Sequence, residues 1–409
     1  MIQLNIDLAA NMATEIAQLE DVLFNDNLEA IYEIDKMIKV VYVRLDTKLI
    51  AFLTFKREGQ SVEMYNFGVD PAHQKQGIGT QMLNTLKQFD CILEVRETNI
   101  NAINFYKNNN FYKSYIRKNY YGAEHAIVLE RKRMMKQNAY AKINLVLNVV
   151  EKLENGYHRI EFLMNSVDLH DVVTVTKSAE DEVIVIDNPN LSNLDNLAYK
   201  ALSVMREEFG FSNNYTIEIE KNIPVAAGMA GGSSDAAAVM RIINELEGLE
   251  QTEAQLAKLA AKVGSDVSYC IYSRLAIARG TGAEIELVDK LLPTKHLLVI
   301  NPGVPLSTQS VYQNHQINNV SGNIEAVLNA TNHLEFETSL ENSLAVTAKI
   351  LCPEINKLEA ELSKFTDHRI LVSGSGPTLL VFSEDKLEIE KLYSIFKPIY
   401  KNTHIAKMN

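Results

Sequence analysis

One glycine-rich segment carries the residue types and spacing best suited to chemistry: KNIPVAAGMAGGSSDAAAVMRIINELEG, residues 221–248. Gly228, Gly231 and Gly232 make a loop without side-chain bulk, and Ser233 and Ser234 add hydroxyl donors. Such a loop can wrap phosphate groups with backbone N–H donors, while the dipole of a following helix favours negative charge. No lysine follows the glycines, so this is not the GxxxxGK[ST] phosphate loop. A close-packed Gly/Ala turn is the structural alternative.

Four further segments stand in a fixed order around this loop: AYAKINLVL (139–147), ENGYH (154–158), VGSDVSYCIY (263–272) and LVSGSGPTLLVF (371–382). Together the five segments resemble GHMP-type small-molecule kinases over about residues 135–409, and among these the 4-diphosphocytidyl-2-C-methyl-D-erythritol kinase family. The resemblance implies a two-lobed α+β kinase with an ATP-binding lobe at 134–292 and a C-terminal lobe at 293–409. It also implies phosphorylation by ATP with Mg of the tertiary 2-hydroxyl of a cytidine diphosphate substrate, a step of non-mevalonate isoprenoid biosynthesis.

Phosphoryl transfer needs a phosphate cradle, an acceptor for the hydroxyl proton and a cation. By motif position, Asp266 of GSDVSY corresponds to the catalytic base, and Lys142 of AKIN to the lysine that lowers the base's pKa and stabilises developing charge. The structural alternatives are a helix N-cap for Asp266 and an exposed strand lysine for Lys142. No residue is assigned as a metal ligand.

The same resemblance assigns the binding residues. Asn144 corresponds to a position near the reacting end, Tyr157 and His158 hold the cytosine, and Tyr312, four residues after Thr308, completes an aromatic sandwich. The loop SGSGPT (373–378) closes over the phosphates. The ATP-binding set is Pro224, Gly228, Gly231, Gly232, Ser233 and Ser234, with Lys221 and Asn196 on the adenine side. A GHMP kinase for another small alcohol is the rival interpretation.

A second candidate site lies near the N-terminus, in HQKQGIGT, between a strand predicted at 62–69 and a helix predicted from Thr80. Gln74, Gly77 and Gly79 form a [RQ]xxGxG turn whose amides can approach a pyrophosphate at a helix start. A bare GxG is weak evidence by itself, because many such turns are simply tight connections.

The segments that follow, LEVRETNINAINFYKNNNF (93–111), RKNYY (117–121) and EHAIVLE (124–130), resemble the GNAT N-acetyltransferases over about residues 1–133, and most closely the ribosomal-protein alanine N-acetyltransferases. The resemblance implies acetyl-CoA as cofactor, held with help from Asn99, and a protein N-terminal amine as acceptor. It makes Glu94 the base and Tyr106 the acid. The alternatives are a surface carboxylate for Glu94, core packing for Tyr106, and a non-catalytic acetyl-CoA-binding or interaction module.

Positioning these groups requires a multidomain α+β chain: a GNAT-type mixed sheet with helices at 1–133, followed by the kinase. The domain boundary is expected in RKRMMKQN (131–138), between strands predicted at 125–130 and 139–150. Met134 and Met135 stand where a separate protein could begin, so two proteins joined during evolution or artificially remain alternatives. Apolar faces are predicted for Met82, Leu83 and Leu86, and for Val239, Ile242, Ile243 and Leu246.

The composition limits the number of domains, the classes of binding partner and the cellular compartment that can be expected. The 409 residues, 46% hydrophobic, can form more than one core. A net charge of -12 argues against binding to nucleic acid or to an anionic membrane. Three dispersed cysteines give no disulfide framework or thiolate metal site, which favours the reducing cytoplasm, and neither a signal peptide nor a membrane-spanning run is predicted.

Overall fold

The computed structural model describes residues 4–24, 37–154, 158–317 and 322–409. The chain separates into two compact units, Met1–Met135 and Lys136–Asn409, and each is described by itself. Both combine mixed β-sheets with helices, so the predicted α+β class is confirmed. Within the described ranges no helix is both long and apolar enough to cross a membrane.

The described part of the first unit forms one seven-stranded sheet with three helices. The strands are β1 (Leu4–Leu8), β2 (Lys39–Leu45), β3 (Lys48–Glu58), β4 (Ser61–Val69), β5 (Asp90–Arg96), β6 (Tyr112–Tyr121) and β7 (Glu124–Arg131). The helices are α1 (Ala13–Phe24), α2 (Ile78–Asn84) and α3 (Ile100–Lys107), with 3₁₀ turns at Ala9–Met12 and Pro71–His73. The strand order is β1-β2-β3-β4-β5-β7-β6.

The pair β4 and β5 is parallel, whereas its neighbours are antiparallel. Its register runs only from Ser61 opposite Asp90 to Met64 opposite Leu93, although both strands continue beyond. Backbone groups on the facing edges past that point are not paired with one another. The sheet therefore opens between β4 and β5 on the side where β4 leads towards α2.

Helix α2 buries Met82 and Leu83 in the core of the first unit, as the apolar pattern predicts. The helix begins at Ile78 and ends at Asn84. The predicted start at Thr80 is therefore two residues late, and Leu86 is buried in a turn beyond the helix end, where its amide donates to Leu83 O. Successive i→i+3 bonds after Asn84 tighten the chain and end the α-helical repeat.

The second unit contains the remaining strands and helices of the described chain. Its strands are β8 (Met134–Lys152), β9 (His158–Ser178), β10 (Glu182–Ile186), β11 (Asn214–Glu220), β12 (Ala276–Gly280), β13 (Glu284–Leu287), β14 (His296–Ile300), β15 (Glu341–Asn342), β16 (Ile370–Val372), β17 (Leu379–Ser383) and β18 (Thr403–Lys407). Its helices are α4 (Leu197–Phe209), α5 (Gly231–Leu246), α6 (Glu253–Ala260), α7 (Ser265–Tyr272), α8 (Thr308–Asn314), α9 (Ile324–Asn329), α10 (His333–Ser339), α11 (Ala345–Leu351), α12 (Pro353–Leu362) and α13 (Lys386–Phe396), with a 3₁₀ turn at Pro189–Leu191.

Two sheets organise these elements. The first runs β10-β11-β9-β12-β13, with β8 pairing both β9 and β15, and the second runs β16-β17-β14-β18. Helix α5 packs against β9, α4 and α7, while α13 packs against the second sheet. All four residues of the predicted apolar face of α5 are buried, and Gly248 follows the helix end with a φ of 62°, the left-handed geometry expected of a helix stop.

The predicted connector at 131–138 is largely strand. Strand β7 ends at Arg131 and β8 begins at Met134, five residues before the predicted start at Ala139. The sequence pattern did not reveal the strand start, because residues 134–138 are partly or fully exposed. The buried run by which a strand is predicted begins only at Ala139. The division of the kinase region at residue 292 stays a prediction.

Candidate active site

The glycine-rich loop before α5 is held by backbone contacts. Its Met229 carbonyl accepts a hydrogen bond from the Lys142 amide at 3.1 Å, and Ser373 Oγ donates to Gly228 O at 3.2 Å. Gly228 has a φ of 70°, and a Cβ atom there would collide with the carbonyl oxygen of Ser373 and lie 2.9 Å from that of Gly376. The loop and the second glycine-rich turn therefore touch through backbone atoms, which only glycine permits.

Lys142 and Asp266 meet at the edge of this loop. Lys142 Nζ donates to Asn144 Oδ1 at 2.8 Å and lies 3.7 Å from Asp266 Oδ2. The Lys142 side chain is only 6% exposed, against 42% for Asp266. The exposed-lysine alternative is therefore wrong: strand β8 is buried on both faces here, and Asn144 and Asp266 supply the polar contacts that a buried ammonium requires.

Asp266 is the second residue of α7 and does not cap it. The cap position is Gly264, which makes no side-chain cap bond, so the N-cap alternative for Asp266 is wrong. A carboxylate in the first turn interacts favourably with the helix dipole. Asp266 thus presents a partly exposed carboxyl group towards solvent and towards Lys142.

A cavity of about 1110 Å³ opens over these groups. This exceeds the roughly 300–1,000 Å³ usual for a single small-molecule pocket, which suits a site for two substrates. Among its lining residues are most of the predicted kinase residues: Lys142, His158, Asn196, Lys221, Pro224, Gly228, Gly231, Gly232, Ser233, Asp266, Thr308 and Tyr312.

One end of the cavity is aromatic. The rings of His158 and Tyr312 lie 5.4 Å apart at an interplanar angle of 38°. Burial, with a smaller contribution from the Lys152 charge, lowers the pKa of His158, so its ring is neutral at pH 7 and offers one donor and one acceptor. Thr308 Oγ1 lies 2.8 Å from Ser375 Oγ, which joins α8 to the second glycine-rich turn. Tyr157 lies outside the described residues.

Lys221 occupies a buried charge cluster beneath the loop. Its Nζ donates to Asp235 Oδ2 at 2.7 Å and to Asp171 Oδ2. Asp171 Oδ1 also accepts the amides of Asn222 and Ile223, at 2.6 and 2.8 Å. Burial opposes the charge on Lys221, yet Asp235 and Asp171 outweigh it and raise the pKa of the lysine. Lys221 therefore acts as a counter-ion to buried carboxylates and also lines the cavity.

Three other predicted binding residues make hydrogen bonds within the protein. Ser234 is buried, and its Oγ donates to Tyr140 O at 2.7 Å. Asn196 caps α4, accepting from the Ala198 amide at 2.9 Å and donating to Leu191 O at 3.0 Å. Asn144 lies behind Lys142 and is absent from the described cavity lining, although its buried Nδ2 has no hydrogen-bond partner. Ser234 and Asn144 therefore support the site from within the protein, whereas Asn196 both caps α4 and lines the cavity.

Sequence reasoning missed several residues that matter here. Asp171 organises the loop through Lys221 but stands in β9 without a motif, 50 residues before its partner. Lys152 and Ser375 line the cavity. Ser375 lies inside the predicted SGSGPT loop, so the motif contained the signal, whereas Lys152 resembles any exposed lysine at a strand end.

In the first unit, Glu94 is the first residue of β5 after its pairing with β4 stops. Its carboxylate is 12% exposed and forms an ion pair with Arg117, Oε1 to Nη1, at 2.9 Å. Burial raises the pKa of Glu94 even though Arg117 opposes the shift. The surface-carboxylate alternative is therefore wrong, because this group is largely buried at the opening of the sheet.

The other predicted residues of this unit have clear structural roles. Tyr106 packs edge-on against Phe105 and Phe111, so the core-packing alternative holds in the structure and its acid role stays a prediction. Asn99 caps α3 by accepting from the Ala102 amide at 3.1 Å. A Cβ on Gly79 would lie 3.0 Å from the Phe105 ring.

Gln74 and Gly77, the remaining predicted residues of this unit, lie in the turn before α2. Gln74 Nε2 donates to Val69 O at 3.0 Å, which ties the turn to the end of β4. Gly77, with a φ of 80°, is the N-cap of α2 and has open space around it. Gly77 therefore places no side chain over the first amides of α2.

Family comparisons agree with the folds of both units. Residues 196–274 match the GHMP kinases N terminal domain, residues 323–401 match the GHMP kinases C terminal domain, and residues 11–111 match the acetyltransferase (GNAT) family. With the folds and cavity above, these matches define a GHMP-type small-molecule kinase that carries a GNAT domain before it.

A 4-diphosphocytidyl-2-C-methyl-D-erythritol kinase of Bacillus mycoides (strain KBAB4) is 36% identical over 276 residues, covering 66% of this chain and 95% of the relative. The chain therefore belongs to the 4-diphosphocytidyl-2-C-methyl-D-erythritol kinase family. A crystal structure of a 4-(cytidine 5'-diphospho)-2C-methyl-D-erythritol kinase, 28% identical, covers 67% of this chain and 99% of its own with a TM-score of 0.59. A homoserine kinase of Cytophaga hutchinsonii, 16% identical with a TM-score of 0.50, shares the fold alone. The predicted resemblances to this kinase family and to the GNAT acetyltransferases are confirmed, and the closer likeness to ribosomal-protein alanine N-acetyltransferases stays a prediction.

The backbone crossing of the two glycine-rich loops can be tested with Gly228→Ala. We expect a loss of stability of at least about 2 kcal/mol, because a left-handed alanine alone costs roughly 1–2 kcal/mol and its Cβ also collides with Ser373 O. Gly232→Ala is the matched control, since its Cβ would meet only Leu197 Cδ1 at an ordinary 3.6 Å inside a helix. Equal denaturation midpoints for the two variants would contradict the crossing.

The buried cluster predicts a pH dependence of stability. Burial raises the pKa of Asp235 from 3.8 to about 7, against the opposing charge of Lys221, so the folded chain holds this proton more tightly than the unfolded chain. The resulting stability is complete below the unfolded value and is lost as the pH rises through about 7. Asp235→Asn mimics the protonated acid, so the thermal midpoint of the variant should rise relative to that of the wild type between about pH 4 and pH 7, where the unfolded chain has lost this proton and the folded chain still holds it. A constant difference would contradict this.

Proposed function

We propose that the second unit transfers the γ-phosphoryl group of ATP to the 2-hydroxyl of 4-diphosphocytidyl-2-C-methyl-D-erythritol, in non-mevalonate isoprenoid biosynthesis. The observation that carries the proposal is the meeting of Lys142 Nζ and Asp266 Oδ2, 3.7 Å apart, beside the glycine-rich loop in one cavity. Family membership supports the substrate, because the relatives that match this unit are named for it.

Asp266 accepts the proton of the attacking hydroxyl in this proposal, since its half-exposed carboxylate faces the cavity. Lys142 stands between that carboxylate and the loop and stabilises the charge that develops as the hydroxyl oxygen attacks phosphorus. Asn144 holds the ammonium in place from behind at 2.8 Å. ATP enters as its magnesium complex, and the amides at the start of α5 face its phosphates.

The cytosine base occupies the aromatic end of the cavity. His158 and Tyr312 offer adjoining ring surfaces, and the neutral imidazole can exchange hydrogen bonds with the polar edge of the base. We assign the ATP-binding lobe to residues 134–292 and the C-terminal lobe to 293–409, so that Tyr312 on α8 comes from one lobe and His158 from the other.

Cys91, Cys270 and Cys352 are all free and buried, which supports a cytoplasmic location.

The chemistry is tested by incubating the full chain with Mg-ATP and 4-diphosphocytidyl-methylerythritol and measuring the phosphorylated product. Asp266→Asn preserves size but removes the proton acceptor, so kcat should fall by about 10²–10⁴-fold with little change in KM. Asp289→Asn, a substitution of an exposed aspartate, is the matched control and should retain activity.

Absence of product from the wild-type chain, or an Asp266→Asn variant with unchanged kcat, would overturn the kinase proposal. The rival function, a GHMP kinase acting on a different small alcohol, is separated by His158→Ala and Tyr312→Ala. If the cytidine diphosphate compound is the substrate, both variants raise its KM. Unchanged KM in both, with faster turnover of another alcohol, favours the rival.

For the first unit we propose acetyl transfer from acetyl-CoA to a protein N-terminal amine, within a domain spanning 1–133. The observation that favours it is the opening between β4 and β5, with largely buried Glu94 at its start and the N-terminus of α2 beyond its end. Unpaired strand edges can bond the amide groups of the cofactor's arm, and the amides of α2 can face its pyrophosphate. Glu94, with its raised pKa, then removes the proton of the acceptor ammonium.

Glu94→Gln should abolish acetyl transfer to N-terminal peptides while leaving acetyl-CoA binding intact, because the amide keeps its shape but accepts no proton. Turnover is measured by thiol release and cofactor binding by calorimetry. Glu63→Gln, a nearby exposed carboxylate on β4, is the control and should retain turnover. Cofactor binding without turnover by the wild type favours a non-catalytic sensor, and absence of cofactor binding contradicts the proposal altogether.

A further inference from the structure

Away from the kinase cavity, three side chains of the second unit turn their metal-binding atoms towards one another. They are His333, Glu337 and His368, hereafter the HEH cluster, and one ligand atom from each lies within 4.8 Å of the others. His333 and Glu337 are one helical turn apart on α10, and His368 lies between α12 and β16. The kinase mechanism uses none of these residues.

The spacing in the HEH cluster matches the edges of a tetrahedral metal site. His333 Nε2 and His368 Nδ1 are 3.2 Å apart, His333 Nε2 lies 3.6 Å from Glu337 Oε2, and His368 Nδ1 lies 3.2 Å from Glu337 Oε1. Two ligands bound to zinc at about 2.05 Å and at the tetrahedral angle are about 3.3 Å apart. One ion can therefore reach all three groups with little movement.

The outer hydrogen bonds direct the nitrogen lone pairs inward. His368 Nε2 lies 3.0 Å from the carboxylate Oε2 of Glu388, which can only accept, so the proton of the neutral ring belongs on Nε2 and leaves Nδ1 unprotonated. His333 Nδ1 lies 2.6 Å from Thr294 Oγ1, a hydroxyl that can accept a hydrogen bond from a protonated Nδ1, and in that tautomer Nε2 is unprotonated. Bound histidines in metal sites characteristically give their other nitrogen to such a partner.

In these tautomers, two nitrogen lone pairs and a carboxylate of 7% residue exposure face each other. The Arg369 amide donates to Glu337 Oε1, and a cation between the three groups would relieve the remaining repulsion. His368 also lines a separate cavity of about 440 Å³, which provides a path to solvent. A fourth coordination position is left for water.

We propose that the HEH cluster binds one Zn²⁺ ion through His333 Nε2, His368 Nδ1 and the Glu337 carboxylate. Two imidazoles and one carboxylate suit this borderline cation. The ion links α10 to the segment that leads into β16. Through Glu388 and Thr294, the linkage extends to α13 and to the chain just before β14, so bound zinc stabilises the second unit.

The test uses the untagged full chain after treatment with a chelator, titrated with Zn²⁺ against a chromophoric competitor. We expect one equivalent bound, a raised thermal midpoint, and visible absorption typical of low-coordinate Co²⁺ when cobalt replaces zinc. His368→Gln should weaken binding by more than about 100-fold, and Glu388→Gln by about 10–100-fold. His404→Gln, a histidine on β18 outside the cluster, is the matched control and should bind as the wild type does.

Zinc bound equally by the wild type and His368→Gln overturns the proposal, because the ion then lies elsewhere. So does a wild-type chain that binds no zinc, in which case a proton shared within the cluster supplies the positive charge. The cobalt spectrum of the wild type keeps the test decisive even if a variant fails to fold. None of these measurements depends on kinase activity.

Discussion

The kinase site depends on one close contact, the meeting of two glycine-rich turns through backbone atoms. Gly228 faces the carbonyls of Ser373 and Gly376, and a Cβ on Gly374 would lie 2.6 Å from Gly228 O. The turns are more than 140 residues apart in sequence, so their contact fixes the phosphate loop against the C-terminal part of the same unit. The Lys142 amide holds the loop from the other side, at Met229 O. These contacts hold the loop in place within the protein itself, and electrostatic catalysis requires preorganisation of this kind.

That organisation has an energetic cost. Ala226 and Ala230 have φ values of 52° and 56°, the left-handed region that costs an alanine roughly 1–2 kcal/mol. Beneath them, Lys221 is held between two buried carboxylates, a desolvated arrangement that stabilises little by itself. Its value lies in direction: Asp171 takes the amides of Asn222 and Ile223 with one oxygen and Lys221 with the other. The cluster thus sets the path of the chain as it enters the loop.

The sequence could predict the chemistry better than the supporting contacts. Lys142 and Asp266, 124 positions apart, could be paired because each stands in a motif, and the structure brings their charged atoms together. Ser234 could not be distinguished from Ser233 in the same way. Both follow the glycines, yet helical rotation turns Ser234 inward to Tyr140 O and leaves Ser233 on the cavity. Asp171 had no local signal at all, because its partners Lys221, Asn222 and Ile223 come from a distant segment between β11 and α5. The chemical type of a polar residue can be read from the sequence, whereas the direction of its side chain depends on how the surrounding elements pack.

The net charge of -12 limits how far electrostatic attraction can help the proposed kinase to bind anionic substrates. Long-range attraction does not favour ATP, so binding must come from short-range donors. Lys221 adds little to this, because two carboxylates already surround its charge. Lys142 is different: its single carboxylate neighbour is 3.7 Å away, its other partner is a neutral amide, and its side chain is almost fully desolvated. In low dielectric such a charge acts strongly at short distance. Close to the loop, the buried charge of Lys142 can therefore act on a bound anion more strongly than the net charge of the chain does.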